Sequence, residues 1–378
     1  ESLEYDSQGQ IFNWNISSQR GLHDIGVMLL NQALYILYRQ GITQAIIDVK
    51  EKVSPRLLYA MGFERSDNHF VVSLIDPVIF VMDLPSRIVD SYRREKRLRT
   101  MIAKNRRKIM LALHELYPGR AIMAFDRGVF YNDIIKRVSG EAGDRVIVPI
   151  GSMFQHHYLP DHPTKTLHID KLYSPEEDDI VVTAQRNHLP IDRQVETLRQ
   201  LGDRAIVIDD VLHSGRRVNA LAPLLAEHDF PMESLMVGIA TGNGVQHAQK
   251  QQVHVAYTYF FESITQWYLE SELYLFLGGL VSPNSRNDRI YSLSLNRISP
   301  FISREPAEAF ERFSNICIKA AEEFMFVADK IFREKQGHPM RLSDLNHLIY
   351  DVYIPDVFFY QVDDMTIQQF FEKFHASR

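Results

Sequence analysis

The residues best suited to chemistry in this chain are two adjacent acids, Asp209 and Asp210, followed closely by Ser214 and Gly215. Four apolar residues, 205–208, precede the acids, and a repeat of apolar residues at helical spacing follows the glycine. This pattern predicts a buried strand, a polar turn and a helix. The first amides of a helix have no intrahelical acceptors and the helix dipole favours negative charge, so we expect the turn to bind a phosphate.

The two acids indicate what carries that phosphate. Carboxylates beside a phosphate site repel a bare phosphate, but they accept hydrogen bonds from vicinal hydroxyl groups. A ribose 5-phosphate presents both kinds of group. Acid pairs and glycine turns also occur where they only end a strand, but their order on a strand-to-helix transition favours a ligand site.

The stretch 205–218 resembles the motif with which type I phosphoribosyltransferases bind 5-phosphoribosyl 1-diphosphate (PRPP). In that family an apolar strand is followed by two acids, a short spacer and Thr-Gly-x-Thr. The resemblance implies that Asp209 and Asp210 hold the ribose 2- and 3-hydroxyls and are catalytic. It also implies that the substrate-binding loop around the 5-phosphate consists of Val211, Leu212, His213, Ser214, Gly215, Arg216 and Arg217. Ser214 keeps the hydroxyl of the first threonine, whereas Arg217 stands at the position of the second.

A second polar turn follows the apolar run 121–125. Arg127 and Gly128 match the short loop that holds pyrophosphate in phosphoribosyltransferases, and Val129 departs from it. By this resemblance Arg127 is a catalytic residue and Gly128 a substrate-binding residue. The resemblance also implies Mg²⁺, held mainly through PRPP, and no protein metal ligands are predicted. The polar stretch 155–175 lies where the family carries a mobile loop over PRPP.

The region from 119 to 262 is expected to be the phosphoribosyltransferase-like domain. Apolar runs alternate there with helical patterns, which predicts an α/β fold with a doubly wound parallel sheet. Ligands of such sheets lie at the carboxyl ends of the strands. The expected strands are 121–125, 145–150, 179–184, 205–208, 234–240 and 253–260.

Residues 1–90 show an α/β pattern of their own. The segment 54–63, Ser-Pro-Arg-Leu-Leu-Tyr-Ala-Met-Gly-Phe, resembles the C-terminal half of a GNAT-type acyltransferase. We interpret the region as a partial GNAT-like half-domain with a structural or interaction role, and an active acyltransferase is the alternative. Tyr59 matches a general acid of some relatives, although packing beside Phe63 is the simpler role.

Two further segments complete the expected organisation. Residues 91–118 are rich in Arg and Lys and carry an apolar face, which predicts a basic linking helix. Residues 263–378 are predicted to form a helical hood and a C-terminal helical region. The aromatic clusters 358–360 and 370–371 suggest an interface with a partner protein or with a second copy of the chain.

The composition of the chain limits the classes of function that it can have. The formal net charge of −6, with no long run of like charge outside one basic patch, gives no indication of nucleic-acid binding. The single cysteine, Cys317, excludes an intramolecular disulfide and fits a reducing compartment. No stretch approaches the roughly 20 apolar residues of a membrane helix, so we expect a cytoplasmic protein.

Two functions follow from these observations. The first is a PRPP-dependent phosphoribosyltransferase that transfers the phosphoribosyl group to a base or a related nucleophile. The second is a module of the same fold that senses PRPP or a nucleoside monophosphate without turnover and acts through a partner protein.

Overall fold

The structure, a computed structural model, describes residues 2–15, 22–50, 53–150, 154, 162–174, 179–185, 188–274, 276–277, 307–350 and 365–376. The chain divides into two compact units. The first combines Glu1–Phe125 with Ile264–Arg378, and the second is the continuous segment Asp126–Ser263. The second unit is therefore inserted in the sequence between the two segments of the first. The first unit thus combines segments that the sequence-based division treats as separate.

The secondary structure is numbered along the whole chain. The strands are β1 (Ser2–Tyr5), β2 (Gln10–Asn15), β3 (Gln44–Asp48), β4 (Glu64–Ser66), β5 (His69–Met82), β6 (Arg120–Asp126), β7 (Val146–Pro149), β8 (Ile169–Ser174), β9 (Asp179–Ala184), β10 (Ala205–Leu212), β11 (Met232–Thr241), β12 (His254–Phe261) and β13 (Gln266–Leu269). The helices are α1 (Leu22–Arg39), α2 (Pro55–Ala60), α3 (Asp90–Arg93), α4 (Lys96–Leu116), α5 (Arg127–Glu141), α6 (Ile191–Arg199), α7 (Arg216–Glu227), α8 (Gly242–Lys250), α9 (Ala307–Gln336) and α10 (Ile367–Ala376). Short 3₁₀ helices cover Leu84–Arg87, Ser271–Leu273 and Leu342–His347. None of the described helices is long and apolar enough to cross a membrane.

The first unit is built on a mixed sheet centred on β5. Its strand order is β1-β2-β3-β5-β13, and β4 and β6 also pair with β5. Every residue of β5 from Pro77 to Met82 is buried. The sequence predicts two strands in this region, at 70–75 and 78–81, but the structure has one continuous strand, in which Asp76 takes a positive φ of 47° between the two predicted segments.

The basic stretch of the sequence forms α4, which packs along α9 within the first unit. Its buried apolar face includes Leu98, Ile102 and Ile109. Arg106 donates two hydrogen bonds to Glu270, at 2.9 and 2.8 Å, and Lys108 donates one to Glu323 at 2.7 Å. Burial raises the pKa of Glu270, and Arg106 opposes this effect. Acids of the same unit therefore pair with these two cations of the basic stretch.

The aromatic residues of α10 belong to the core of the first unit. Phe370 and Phe371 are at most 1% exposed. The ring of Phe370 lies edge-on to Phe276 with 4.9 Å between centroids, and Phe371 lies 5.6 Å from Phe326. The expectation of an interface at 370–371 is therefore wrong, because their own chain covers these side chains. The other cluster, 358–360, lies outside the described residues.

The second unit contains a four-stranded parallel sheet in the order β12-β11-β10-β7. Strand β10 is buried at all of its positions, because it lies between β7 and β11 and is covered on both faces. The predicted α/β class with a parallel sheet is therefore confirmed.

Helices cover both faces of this sheet. On one face Val207 and Val237 pack into a core with Val195 of α6 and Leu221 of α7. Gly238 follows Val237 and so faces the other side. A Cβ atom at Gly238 would lie 2.8 Å from the ring of Phe130 in α5. The missing side chain thus lets α5 lie close to β11.

Three expected elements are placed differently by the structure. The apolar run 121–125 forms β6 and pairs with β5 in the first unit, not with the parallel sheet. The run 179–184 forms β9, which makes an antiparallel pair with β8. Residues 266–269 form β13 beside β5, where the sequence predicts part of a helical hood.

Candidate functional site

Strand β10 carries the acid pair inside the sheet rather than ending before it. The strand continues to Leu212, so the predicted end at 208 is wrong, and Asp209 and Asp210 are each 4% exposed. Neighbouring side chains of a strand point to opposite faces. Asp209 shares the face of α7, in register with Val237, and Asp210 points to the face covered by α5. The two carboxylates are therefore adjacent in sequence but face different helices.

Asp209 has a cationic partner within the site. The Nη1 group of Arg217 donates a hydrogen bond to Oδ1 of Asp209. The same oxygen accepts a hydrogen bond from the amide of Asp210 at 2.8 Å. The Arg217 side chain is 16% exposed, and its Nε atom is buried with no hydrogen-bond partner among the described residues. A buried donor without an acceptor costs about 1–3 kcal/mol, so an acceptor supplied by a ligand would stabilise this atom.

The loop between β10 and α7 turns at Gly215. This residue has φ of 74° and occupies the N-cap position of α7. A Cβ atom there would lie 2.3 Å from Cβ of His247 in α8. Both the left-handed backbone and the contact with His247 therefore require glycine. Residues 213–215 thus form a tight turn between β10, which ends at Leu212, and α7, which begins at Arg216.

The start of α7 differs from the starts of the two helices beside it. Asp126 caps α5 by accepting a hydrogen bond from the amide of Gly128 at 2.6 Å. Thr241 caps α8 by accepting one from the amide of Gly244 at 3.1 Å. Gly215 has no side chain that can cap α7, and the first turn of α7 contains no acid. An external anion is suited to this position.

The structure also brings in residues that the sequence does not single out. Oγ1 of Thr241 donates a hydrogen bond to the carbonyl oxygen of His213 at 2.6 Å and so fixes the loop. Nδ2 of Asn219 lies 3.1 Å from Nδ1 of His247, the residue packed on Gly215. The sequence Thr-Gly-Asn-Gly at 241–244, at the end of an apolar run, is the signal that indicates a second strand-to-helix turn beside the first.

The predicted pyrophosphate-binding residues, Arg127 and Gly128, lie in the first turn of α5 rather than in an open loop. The guanidinium carbon of Arg127 lies 5.2 Å from the centre of the Tyr131 ring. The amide of Gly128 is already used by the cap from Asp126. Since α5 covers the face to which Asp210 points, Arg127 and Asp210 belong to the same side of the sheet.

The structure gives no preformed protein site for a metal in its described part. No group of three or more His, Cys, Asp or Glu side chains there is arranged to hold a metal ion. Asp209 is engaged by Arg217. The Mg²⁺ implied by the family resemblance stays a prediction. Residues 155–161 and 175 of the expected mobile loop lie outside the described residues.

Comparison with solved structures identifies similarities to about a third of the chain. An adenine phosphoribosyltransferase from Thermoanaerobacter pseudethanolicus is 15% identical, with a TM-score of 0.24, over 35% of this chain and 80% of that one. A hypothetical protein from Neisseria gonorrhoeae with bound ppGpp is 13% identical, with a TM-score of 0.26, over 38% of this chain and 81% of that one. Scores this low carry no weight for function. No protein-family model matches the chain, no curated protein matches it, and no comparison supports the acyltransferase resemblance of residues 1–90.

Proposed function

We propose that the second unit binds the ribose 5-phosphate group of PRPP or of a nucleotide at the loop between β10 and α7. The observation that carries this proposal is the uncapped start of α7 at Gly215, directly after a central parallel strand that bears Asp209 and Asp210. The loop supplies hydrogen-bond donors for a phosphate, and the acids are acceptors for sugar hydroxyls.

Electrostatics support an anion at this loop. The first turn of α7 begins with Arg216 and Arg217. The helix dipole repels cations at a helix N-terminus and favours anions there, so a bound phosphate would add to the stabilisation that Asp209 already gives to Arg217. A phosphate provides the negative charge and several acceptor oxygens.

In the transferase form of this proposal, Asp209 and Asp210 position the ribose and Arg127 stabilises the departing pyrophosphate. The protein would contribute positioning and electrostatics while positive charge develops at C1 of the ribose. In the second form, the site senses the ligand without turnover. The cap on Gly128 supports this sensing form, because it occupies an amide that the pyrophosphate-binding loop would use.

Isothermal titration calorimetry with ribose 5-phosphate, PRPP, AMP and ppGpp tests the binding site. The panel includes ppGpp because it is bound in the Neisseria gonorrhoeae structure. We expect Asp210→Asn, which preserves shape, to lower the affinity for ribose 5-phosphate about tenfold, because a hydroxyl loses a charged acceptor. Asp192→Asn in the exposed first turn of α6 is the control and should leave the affinity unchanged.

A pyrophosphate-release assay with PRPP and a panel of bases separates the two forms. Pyrophosphate produced with one base, and lost in Asp210→Asn, establishes the transferase. Binding without release from any base establishes sensing. The proposal as a whole is wrong if wild-type protein binds none of the phosphoribosyl compounds.

A further inference from the structure

The ion pair of Asp209 and Arg217 connects the end of β10 to the first turn of α7 across the loop that the proposed function assigns to phosphate. It covers the carboxylate, which is only 4% exposed. In this arrangement the acid is covered, and Nη1 of the guanidinium is occupied by it. The described structure therefore shows the two residues engaged with each other.

Two observations indicate that the ion pair of Asp209 and Arg217 does more than stabilise the fold. Nε of Arg217 is buried and has no acceptor among the described residues. Arg217 is also a cation in the first turn of a helix, where the dipole disfavours it. A planar guanidinium satisfies its remaining donors best with a second anion, and phosphate matches its geometry.

We propose that Arg217 exchanges partners when the ligand binds, leaving Asp209 for the 5-phosphate and so exposing the Asp209 carboxylate to the sugar hydroxyls. This inference rests on the proposed function and assigns Arg217 as the residue that selects phosphorylated ligands. A nucleoside without a 5′-phosphate meets a covered carboxylate. Inorganic phosphate must break the ion pair without gaining the hydroxyl contacts. Only a ligand that carries both a 5-phosphate and sugar hydroxyls gives new partners to both Arg217 and Asp209 when their ion pair breaks.

The exchange predicts opposite effects of removing each partner on the binding of inorganic phosphate. Asp209→Asn removes the competitor for Arg217, so the affinity for inorganic phosphate should rise about tenfold, the effect of one charge-assisted hydrogen bond. Arg217→Gln removes the phosphate-binding donor, so the affinity should fall by a similar factor. Calorimetry at constant ionic strength and without added metal measures both.

The selectivity for phosphorylated over unphosphorylated ligands provides a second measurement. Wild-type protein should prefer AMP to adenosine strongly, and Arg217→Gln should reduce that ratio about tenfold. Arg217→Lys keeps the charge but not the planar fork, and should give an intermediate ratio. The exposed pair of Arg193 and Glu196, at 2.8 Å, is a matched control. Arg193→Gln and Glu196→Gln should change neither quantity.

The outcomes separate this inference from the proposed function. If wild-type protein binds ribose 5-phosphate but Asp209→Asn does not gain affinity for phosphate, the exchange is wrong and the binding site stands. If wild-type protein binds no phosphoribosyl compound while Asp209→Asn binds phosphate, the exchange stands and the proposed ligand is wrong. If no variant binds phosphate, the exchange is wrong. Thermal unfolding of each variant confirms that it is folded.

Discussion

At the scale of single residues, Gly215 decides whether the loop before α7 can form. Its φ of 74° is unfavourable for any residue with a side chain, and a Cβ atom would lie 2.3 Å from Cβ of His247. We predict that Gly215→Ala destabilises the protein by about 1–3 kcal/mol. It should also weaken the binding of ribose 5-phosphate, because the first turn of α7 must shift. Thermal unfolding and calorimetry measure the two effects.

Another glycine provides the control for this substitution. Gly140 lies in α5 with no heavy atom within 4 Å of its Cβ position, so Gly140→Ala should stabilise the protein by about 0.5–1 kcal/mol. Adding His247→Ala to Gly215→Ala should recover little of the stability, because alanine keeps the Cβ atom that the new methyl group meets and the backbone strain also remains. Full stability in Gly215→Ala alone would contradict the argument.

At the scale of elements, α4 packs against both α2 and α9 inside the first unit and carries a half-buried histidine. His114 of α4 packs against Tyr59 of α2, with 5.7 Å between ring centroids, and its Nδ1 atom has no hydrogen-bond partner in the described part of the chain. Tyr59 also lies 5.7 Å from Phe70. These contacts support the packing role for Tyr59 and give no support to a general acid.

Burial lowers the pKa of His114, against the opposing effect of Glu64 and Glu115. Below the ordinary histidine value of about 6.5 the unfolded chain binds a proton that the folded protein does not bind. The free energy of unfolding should therefore fall as the pH decreases from about 6.5 towards the lowered pKa. His114→Phe keeps the ring packing and removes the titration, so it should flatten this slope in urea unfolding curves.

A histidine in a different environment is the control for this pH effect. His69 is exposed at the start of β5, and His69→Gln should keep the wild-type slope. If His114→Phe loses stability between pH 6.5 and 5 as steeply as wild type, another group causes the dependence.

Local patterns predict elements well and predict their partners poorly. The strand before Asp209, the turn at Gly215 and the helix after it follow from residues close in sequence. The apolar run 121–125 is suited to either sheet, so its pairing with β5 is decided by contacts with residues far away in the sequence. The same limit applies to β13, whose aromatic residues fit a helix or a strand. The partner of Arg217 becomes visible only when strand and helix are placed in space.

At the scale of the whole molecule, all strand pairs of the parallel sheet lie within Asp126–Ser263, and the mixed sheet uses strands from both flanking segments. Each unit also has fully buried aromatic residues of its own, such as Phe130 in the second and Phe324 in the first. Because each sheet and its core are complete within one unit, we infer that each unit unfolds cooperatively by itself.

Differential scanning calorimetry should therefore resolve two transitions. Gly238→Ala brings a Cβ atom to 2.8 Å from the Phe130 ring and 3.1 Å from the carbonyl oxygen of Asp210, and such overpacking costs about 1–3 kcal/mol. It should lower only the transition of the second unit. Phe324→Ala removes a side chain that is 0% exposed in α9 and should lower only the transition of the first unit, by a cost of about 3–5 kcal/mol.

Ribose 5-phosphate should raise the transition temperature of the second unit, which Gly238→Ala lowers. It should leave the transition of the first unit unchanged, because a ligand stabilises only the unit that binds it. A single transition that both variants lower equally would show that the two units unfold together.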